Sequence, residues 1–275
     1  MKKILLPLAL ALAHFFALGQ VSAPVSMSPT ARPAGVDEVP GAQWVFVKGA
    51  NNRKFLTAIL RPPGAGPFPV VVVLHGADGL TGLGGGYLKV AAELSRAGFL
   101  VLVGCWQAGK SGTGGNSLCA DATPQAAWVA DPGANSGKEL VLAAKSLPYA
   151  RADRIGLFGI SRGGHAALWA AASGAGVQAV VVDAAAHQSG RVNPTPAPTF
   201  DIAGKVTVPV LLLHGTADVY VRVEESREYE RVARAVKMPV TAVYFEGVGH
   251  VVSVEPQSRT KARKLAIDFF REKLQ

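Results

Sequence analysis

The chain has 275 residues, of which 49% are hydrophobic and only 17% are charged. This length fits one large α/β domain, and this composition excludes a disordered chain and a coiled coil. The net charge of +9 raises nucleic acid as a partner, but basic residues are scattered and interleave with acidic ones, as in residues 222–234, without an aromatic stacking surface. We therefore expect no nucleic-acid partner.

The amino terminus has the features of an export signal. Met1–Lys3 is basic, and the stretch Ile4–Leu18 that follows is apolar apart from one histidine. At about 15 residues it is shorter than the roughly 20 that a membrane-spanning helix needs. We interpret residues 1–23 as a cleaved signal peptide, with cleavage after Gly19 or Ala23. The prediction is a periplasmic or secreted protein without stable membrane insertion.

Residues 24–41 are rich in Pro, Ser and Ala and predict a tether without a core of its own. Beyond it, short apolar runs alternate with helical patterns. The predicted strands are Trp44–Val47, Phe55–Leu60, Pro69–Leu74, Phe99–Val103, Ile155–Phe158, Val177–Val182, Pro209–Leu213 and Pro239–Phe245. The predicted helices are Tyr87–Ala97, Gly137–Leu147, Gly163–Ser173, Val223–Val236 and Gln257–Leu274. Since continuous Val, Leu and Ile runs are typical of parallel strands buried on both faces, residues 42–275 predict one α/β domain with a doubly wound, mostly parallel sheet of about eight strands.

Two cysteines, Cys105 and Cys119, flank a Gly-rich loop. In an exported protein an even number of cysteines favours a disulfide, and the alternative is a pair of buried free thiols. The same region contains Gly104–Ser111, which fits the phosphate-loop pattern GxxxxGK[ST]. A phosphate loop must continue into a helix, whereas the next residues, Gly112–Gly115, are poor helix formers. We therefore expect no nucleotide cofactor. We also expect no metal, because the sequence contains no metal-ligand spacing.

Chemistry in such a sheet takes place in loops at the carboxyl ends of the strands. The turn Gly159–Gly163, with Ser161 at its centre, lies between a predicted strand and a predicted helix. A serine held on this kind of tight turn has strained backbone angles, so the residues two before and two after it must be small. We predict that Ser161 is a nucleophile.

A serine nucleophile needs a base that an acid orients. Asp218 follows the strand Pro209–Leu213, and His250 follows the next strand, so the order along the chain is Ser, Asp, His. The alternatives are a helix N-cap for Asp218 and a solvated loop residue for His250. Asp183, at the end of an earlier strand, is the rival acid.

An oxyanion requires backbone N–H donors. Arg162, which follows the serine, supplies one by its position, and Ala77, in the loop after Pro69–Leu74, is our choice for the other. His75 in that loop is interpreted as structural. Asp78 and His187 are candidates for lining the pocket, and solvent exposure is the alternative for His187.

Four segments together resemble the α/β-hydrolase superfamily, and most of all its dienelactone-hydrolase-type proteins and their esterase relatives. They are Leu74–Gly76, Gly159–Gly164, His214–Asp218 and Gly247–His250. The resemblance covers about residues 44–274 and implies a single α/β-hydrolase domain, a Ser161–Asp218–His250 triad, and hydrolysis of a carboxylic ester or related acyl bond. We expect the substrate to be a small-molecule or polymer-borne ester. Dienelactone hydrolases use a cysteine nucleophile, so serine here argues against a lactone specialist. The alternatives are a peptidase or acyltransferase with the same triad, and a non-catalytic binding protein.

A large cap is not expected. Many lipases and esterases carry a helical cap between the strands that end near Asp183 and begin near Pro209, but here that interval is 184–208 and contains the Pro-rich stretch Asn193–Pro198. This pattern predicts an open cleft suited to short acyl groups.

Overall fold

The computed structural model describes residues 26–49, 53–107, 119, 133–188 and 198–275. The strands are β1 Ser26–Pro29, β2 Ala42–Lys48, β3 Lys54–Leu60, β4 Phe68–Leu74, β5 Leu100–Gly104, β6 Ala150–Ile160, β7 Ala179–Asp183, β8 Val210–Gly215 and β9 Val240–Phe245. The helices are α1 Gly82–Arg96, α2 Ala134–Lys145, α3 Arg162–Ala172, α4 Val223–Ala235 and α5 Arg259–Leu274, with a 3₁₀ helix at Thr199–Lys205.

All strands join one mixed sheet in the order β1-β2-β3-β5-β4-β6-β7-β8-β9. Three neighbouring pairs are antiparallel: β1 with β2, β2 with β3, and β3 with β5. From β5 through β4, β6, β7 and β8 to β9, every neighbouring pair is parallel. The predicted α/β domain with a doubly wound, mostly parallel sheet is therefore confirmed. Since the parallel strands run in one direction, their carboxyl ends share one edge, and the residues that follow Leu74, Ile160, Asp183, Gly215 and Phe245 lie along it.

The central strands are buried on both faces. In β4, Val71 and Val73 belong to an apolar cluster that includes residues of α1 and α5 on one side, while Val70, Val72 and Leu74 belong to a second cluster with residues of α2, α3 and α4 on the other. Side chains alternate between the faces of a strand, so a strand covered on both sides needs an unbroken apolar run. These strands can therefore be recognised in the sequence as unbroken apolar runs, although they lack the alternation of apolar and polar residues that a half-exposed strand shows.

The eight predicted strands and five predicted helices are all present, with shifted ends. Strand β6 begins at Ala150 rather than Ile155. The sequence did not indicate this first part, because its five residues include three charged ones, form no apolar run and are exposed or half-buried. Helix α1 begins five residues before the predicted start at Tyr87, but Leu83, Gly84 and Gly85 have φ values of 51°, 57° and 72°. Its regular part therefore starts close to the prediction.

Strand β1 lies within the segment that we expected to be a tether. It pairs antiparallel with β2, Ser26 opposite Lys48 and Pro29 opposite Val45, and Val36 further along is buried in the core. The expected tether is thus corrected for Ser26–Pro29, which form an edge strand of the sheet, and for Val36, which lies in the core; no apolar pattern in the sequence announces either contact. Residues 1–23, interpreted as a signal peptide, lie outside the described residues.

Among the residues that the structure describes, no helix is long and apolar enough to cross a membrane.

Candidate active site

Ser161 occupies the turn between β6 and α3 in a strained conformation, with φ 53° and ψ −118°. A Cβ atom at Gly163 would lie 2.0 Å from the carbonyl oxygen of Leu74, and one at Gly159 would lie 2.3 Å from that of Gly163. Both distances are far below van der Waals contact, so only glycine allows strand, turn and helix to pack this closely. The spacing that we read from the sequence therefore has a steric origin, and it holds a half-buried Ser161 at the carboxyl edge of the sheet.

Asp183 links this turn to the loop that carries His250. Its carbonyl oxygen accepts a hydrogen bond of 2.9 Å from the backbone N–H of Ser161. Its fully buried carboxylate accepts bonds of 3.0 and 2.8 Å from the backbone N–H groups of Val252 and Ser253. Burial raises the pKa of Asp183, and the bonds from Ser253 oppose that rise only in part. The carboxylate of the rival acid thus binds the backbone beyond His250.

Asp218 is the residue that the structure places against His250. Its Oδ2 lies 2.6 Å from Nδ1 of His250, and its Oδ1 accepts backbone hydrogen bonds from Tyr220 and Val221 at 2.8 and 2.9 Å. Burial by itself would raise the pKa of Asp218, but hydrogen bonds from His214 and His250 hold it well below its usual range. An ionised carboxylate that accepts from Nδ1–H leaves Nε2 of His250 able to accept a proton.

His214 also donates to Asp218, and the sequence analysis assigned it no role. Its Nε2 lies 3.1 Å from Oδ2 of Asp218, and its Nδ1 lies 2.7 Å from the hydroxyl of Ser226. A signal was available, because His214 is the next-to-last residue of a buried strand, four residues before Asp218, and both flank one tight turn. Tyr220 was missed as well; it is 75% exposed and its ring centroid lies 5.5 Å from that of His250.

The loop after β4 runs beside Ser161. A Cβ atom at Gly76 would lie 3.4 Å from Cβ of Ser161, and Ala77, which follows, is exposed. His75 is fully buried; burial lowers its pKa to about 4, partly opposed by a hydrogen bond to the carbonyl oxygen of Gly76, so the ring is neutral and donates from Nδ1. These contacts agree with a structural role for His75.

The two candidates for lining the pocket lie in different surroundings. His187 is fully buried, which excludes the solvent-exposed alternative, and its ring is stacked on that of Tyr229 at a centroid distance of 4.4 Å. Polar partners inside the protein, Thr199 and Ser226, satisfy both of its ring nitrogens. Asp78 is half-buried and accepts a hydrogen bond from the hydroxyl of Tyr87.

Cys105 and Cys119 are joined by a disulfide, with their Cα atoms 5.1 Å apart and both residues fully buried. The bridge begins directly after β5, at the same edge of the sheet as Ser161. Most of the loop that it closes, including Lys110 and Ser111 of the phosphate-loop pattern, lies outside the described residues. Within the described part of the chain, no group of three or more His, Cys, Asp or Glu side chains could hold a metal ion.

Comparison with known proteins gives a consistent picture. Residues 55–273 match the dienelactone hydrolase family. A putative dienelactone hydrolase of Klebsiella pneumoniae is 17% identical, with a TM-score of 0.63 over 90% of this chain and 98% of that one. A dienelactone hydrolase of Anabaena variabilis is 22% identical, with a TM-score of 0.60 over 86% and 100%. An esterase of Pyrococcus furiosus is 17% identical, with a TM-score of 0.70 over 90% and 100%. No curated protein matches the chain.

Proposed function

Because the chain belongs to the dienelactone hydrolase family, we propose that it is a serine hydrolase that cleaves carboxylic esters. The observation that carries the proposal is the pairing of His250 with the buried Asp218 carboxylate at 2.6 Å, at the sheet edge that also holds Ser161 in its strained turn. Acyl transfer by serine requires these three groups and no cofactor. The fold has the serine-hydrolase form, and the choice of ester bonds is our proposal.

The proposed reaction proceeds through an acyl-enzyme. Nε2 of His250 takes the proton from the Ser161 hydroxyl as its oxygen attacks the ester carbonyl carbon. The backbone N–H groups of Arg162 and Ala77 stabilise the oxyanion, and His250 then gives the proton to the departing alcohol. Water, deprotonated by His250, then attacks the acyl carbon, and His250 gives that proton to the oxygen of Ser161 as its bond to the acyl group breaks, which releases the acid and free Ser161. Throughout, Asp218 remains ionised and fixes the Nδ1–H tautomer of His250.

A fluorophosphonate probe tests the reaction class. The probe should label the wild-type protein at Ser161. In a panel of matched substrates, esters should be hydrolysed faster than amides, and hydrolysis should exceed acyl transfer to an added acceptor. Amide turnover above ester turnover would identify a peptidase, and preferred transfer to an alcohol or amine would identify an acyltransferase. A folded protein that neither reacts with the probe nor turns over any substrate would be a binding protein.

Short acyl groups should be the preferred substrates. In the interval 184–208 the described residues contain a seven-residue 3₁₀ helix, while 189–197, including most of the Pro-rich stretch, lie outside the described part. We propose that this interval forms no large cap that could cover a long chain, so a p-nitrophenyl ester series should give its highest kcat/KM at about two to six acyl carbons, without interfacial activation. A maximum at twelve carbons or more would contradict the open cleft.

We further propose that the protein works in an oxidising compartment after export. The basic and apolar amino-terminal segment supports this proposal, and so does the disulfide between Cys105 and Cys119. Titration of the denatured, unreduced protein should therefore detect no free thiol, whereas the reduced protein should give two. Two thiols without reduction would show that the bond does not form in solution.

A further inference from the structure

A row of buried polar side chains leads from Asp218 into the protein interior. His214 lies against Asp218, the hydroxyl of Ser226 lies 2.7 Å from Nδ1 of His214 and 3.2 Å from Nε2 of His187, and the hydroxyl of Thr199 lies 2.8 Å from Nδ1 of His187. The four residues behind Asp218 are at most 1% exposed. They come from β8, α4, the segment after β7 and the 3₁₀ helix, so four separate parts of the chain supply them.

The direction of the bond to Asp218 follows from the partners of His214. Nε2 of His214 lies 2.9 Å from the carbonyl oxygen of Val221, which can only accept, so this nitrogen carries a hydrogen and also points it at Asp218. The other ring nitrogen, Nδ1, is held by the hydroxyl of Ser226. That hydroxyl also lies against Nε2 of His187, whose Nδ1 lies against the hydroxyl of Thr199.

His187 is held in this row as a neutral ring. Burial lowers the pKa of His187 well below its ordinary value, and the neighbouring His214 and His165 act in the same direction. A neutral imidazole offers one donor and one acceptor to the two hydroxyl groups that lie against it. Linked hydrogen bonds polarise each other, which strengthens a buried network of this kind.

The last bond of the row falls on the oxygen that serves His250. Oδ1 of Asp218 accepts two backbone N–H groups, and Oδ2 accepts His250 and His214, which saturates the roughly four acceptor positions of a carboxylate. Without His214, Oδ2 would have the imidazole of His250 as its one hydrogen-bond donor among those described. A carboxylate held at both oxygens by groups that do not react can orient that imidazole.

We propose that His214 is a positioning residue for ester hydrolysis: its Nε2–H fixes the Asp218 carboxylate that orients His250, and Ser226 and His187 fix the ring of His214. The proposal rests on the proposed function, since it concerns the same site. His214 is separated from substrate by Asp218, so its loss should affect the chemical steps and leave substrate binding unchanged.

Two replacements of His214 separate its two ring nitrogens. In His214→Gln the side-chain amide N–H can reach the position of Nε2 and still donate to Asp218. In His214→Asn the shorter amide reaches the position of Nδ1, so the bond to Ser226 is kept and the donor to Asp218 is lost. We expect kcat per active site, titrated with the fluorophosphonate probe, to fall about 10- to 100-fold in His214→Asn with little change in KM, and about threefold or less in His214→Gln.

Each result decides the proposal. A purely structural His214 would lower the melting temperature and the number of titrated sites, but would leave kcat per site equal in the two variants. Equal values, or a His214→Asn value within about twofold of wild type, would overturn the proposal. If neither variant folds, Ser226→Ala, which touches no part of Asp218, takes their place: a lower kcat per site with unchanged KM supports the proposal, and an unchanged kcat overturns it. Wild-type protein without labelling or ester turnover would instead contradict the proposed function.

Discussion

Replacing Ser161 with alanine is expected to abolish fluorophosphonate labelling and to lower kcat/KM for esters by about 10⁴-fold or more. Ser161 is the serine in the strained turn between β6 and α3, and the acyl-enzyme cannot form without its hydroxyl. Alanine removes one oxygen from a half-buried position and leaves the glycines of the turn in place. The melting temperature should therefore stay close to that of the wild type.

Ser173→Ala is the matched control for this measurement. Ser173 is exposed and follows the carboxyl end of helix α3, the helix that Ser161 precedes, so it reports any general effect of changing a serine near α3. This variant should be labelled and should hydrolyse esters like the wild type. Labelling that persists in Ser161→Ala would show that another residue is the nucleophile.

Asp218→Asn is expected to lower kcat by about 10⁴-fold with the fold intact. The asparagine amide can turn its N–H₂ towards His250, which favours the tautomer with the hydrogen on Nε2, and that nitrogen can then no longer accept the serine proton. The backbone bonds from Tyr220 and Val221 can still be accepted by the remaining oxygen. The loss should therefore appear in kcat far more than in stability.

Asp183→Asn provides the comparison that identifies the acid. Its carboxylate accepts backbone N–H groups of Val252 and Ser253 with separate oxygens, so an amide would leave one N–H facing another donor. We expect a lower melting temperature and a displaced His250 loop, with a kcat loss of about 100-fold or less. A larger loss of kcat in Asp183→Asn than in Asp218→Asn, with both proteins folded, would mean that Asp183 is the acid.

Much of the fold could be predicted because its determinants are local in the sequence. Buried parallel strands require unbroken apolar runs, and β4 and β5 provide them. The turn around Ser161 requires glycine two residues to either side, since a Cβ atom there would overlap backbone atoms. Asp218 and His250 follow two consecutive strands in the sequence. Because those strands are parallel, both residues could be predicted to lie at the same edge of the sheet.

The remaining features depend on contacts between distant residues. Strand β1 is short and mostly exposed, and it is held in the extended conformation by its pairing with the edge of β2. His187 looks like a loop histidine in the sequence, but Ser226, 39 positions away, provides the partner that allows its burial. His214 was visible in its motif, yet its ring could be assigned no function until the positions of Asp218 and Ser226 were known.

The arrangement of the sheet has a practical consequence for attaching the protein to a support. Ser161, Asp218 and His250 all follow carboxyl ends of parallel strands, so the loops that lead into these strands emerge at the opposite edge. One such loop, between α4 and β9, contains the exposed Val236 and has Lys237 in a left-handed conformation, with φ 59°. A peptide tag or surface linker inserted there would immobilise the protein with the edge that carries the proposed catalytic residues directed into solution.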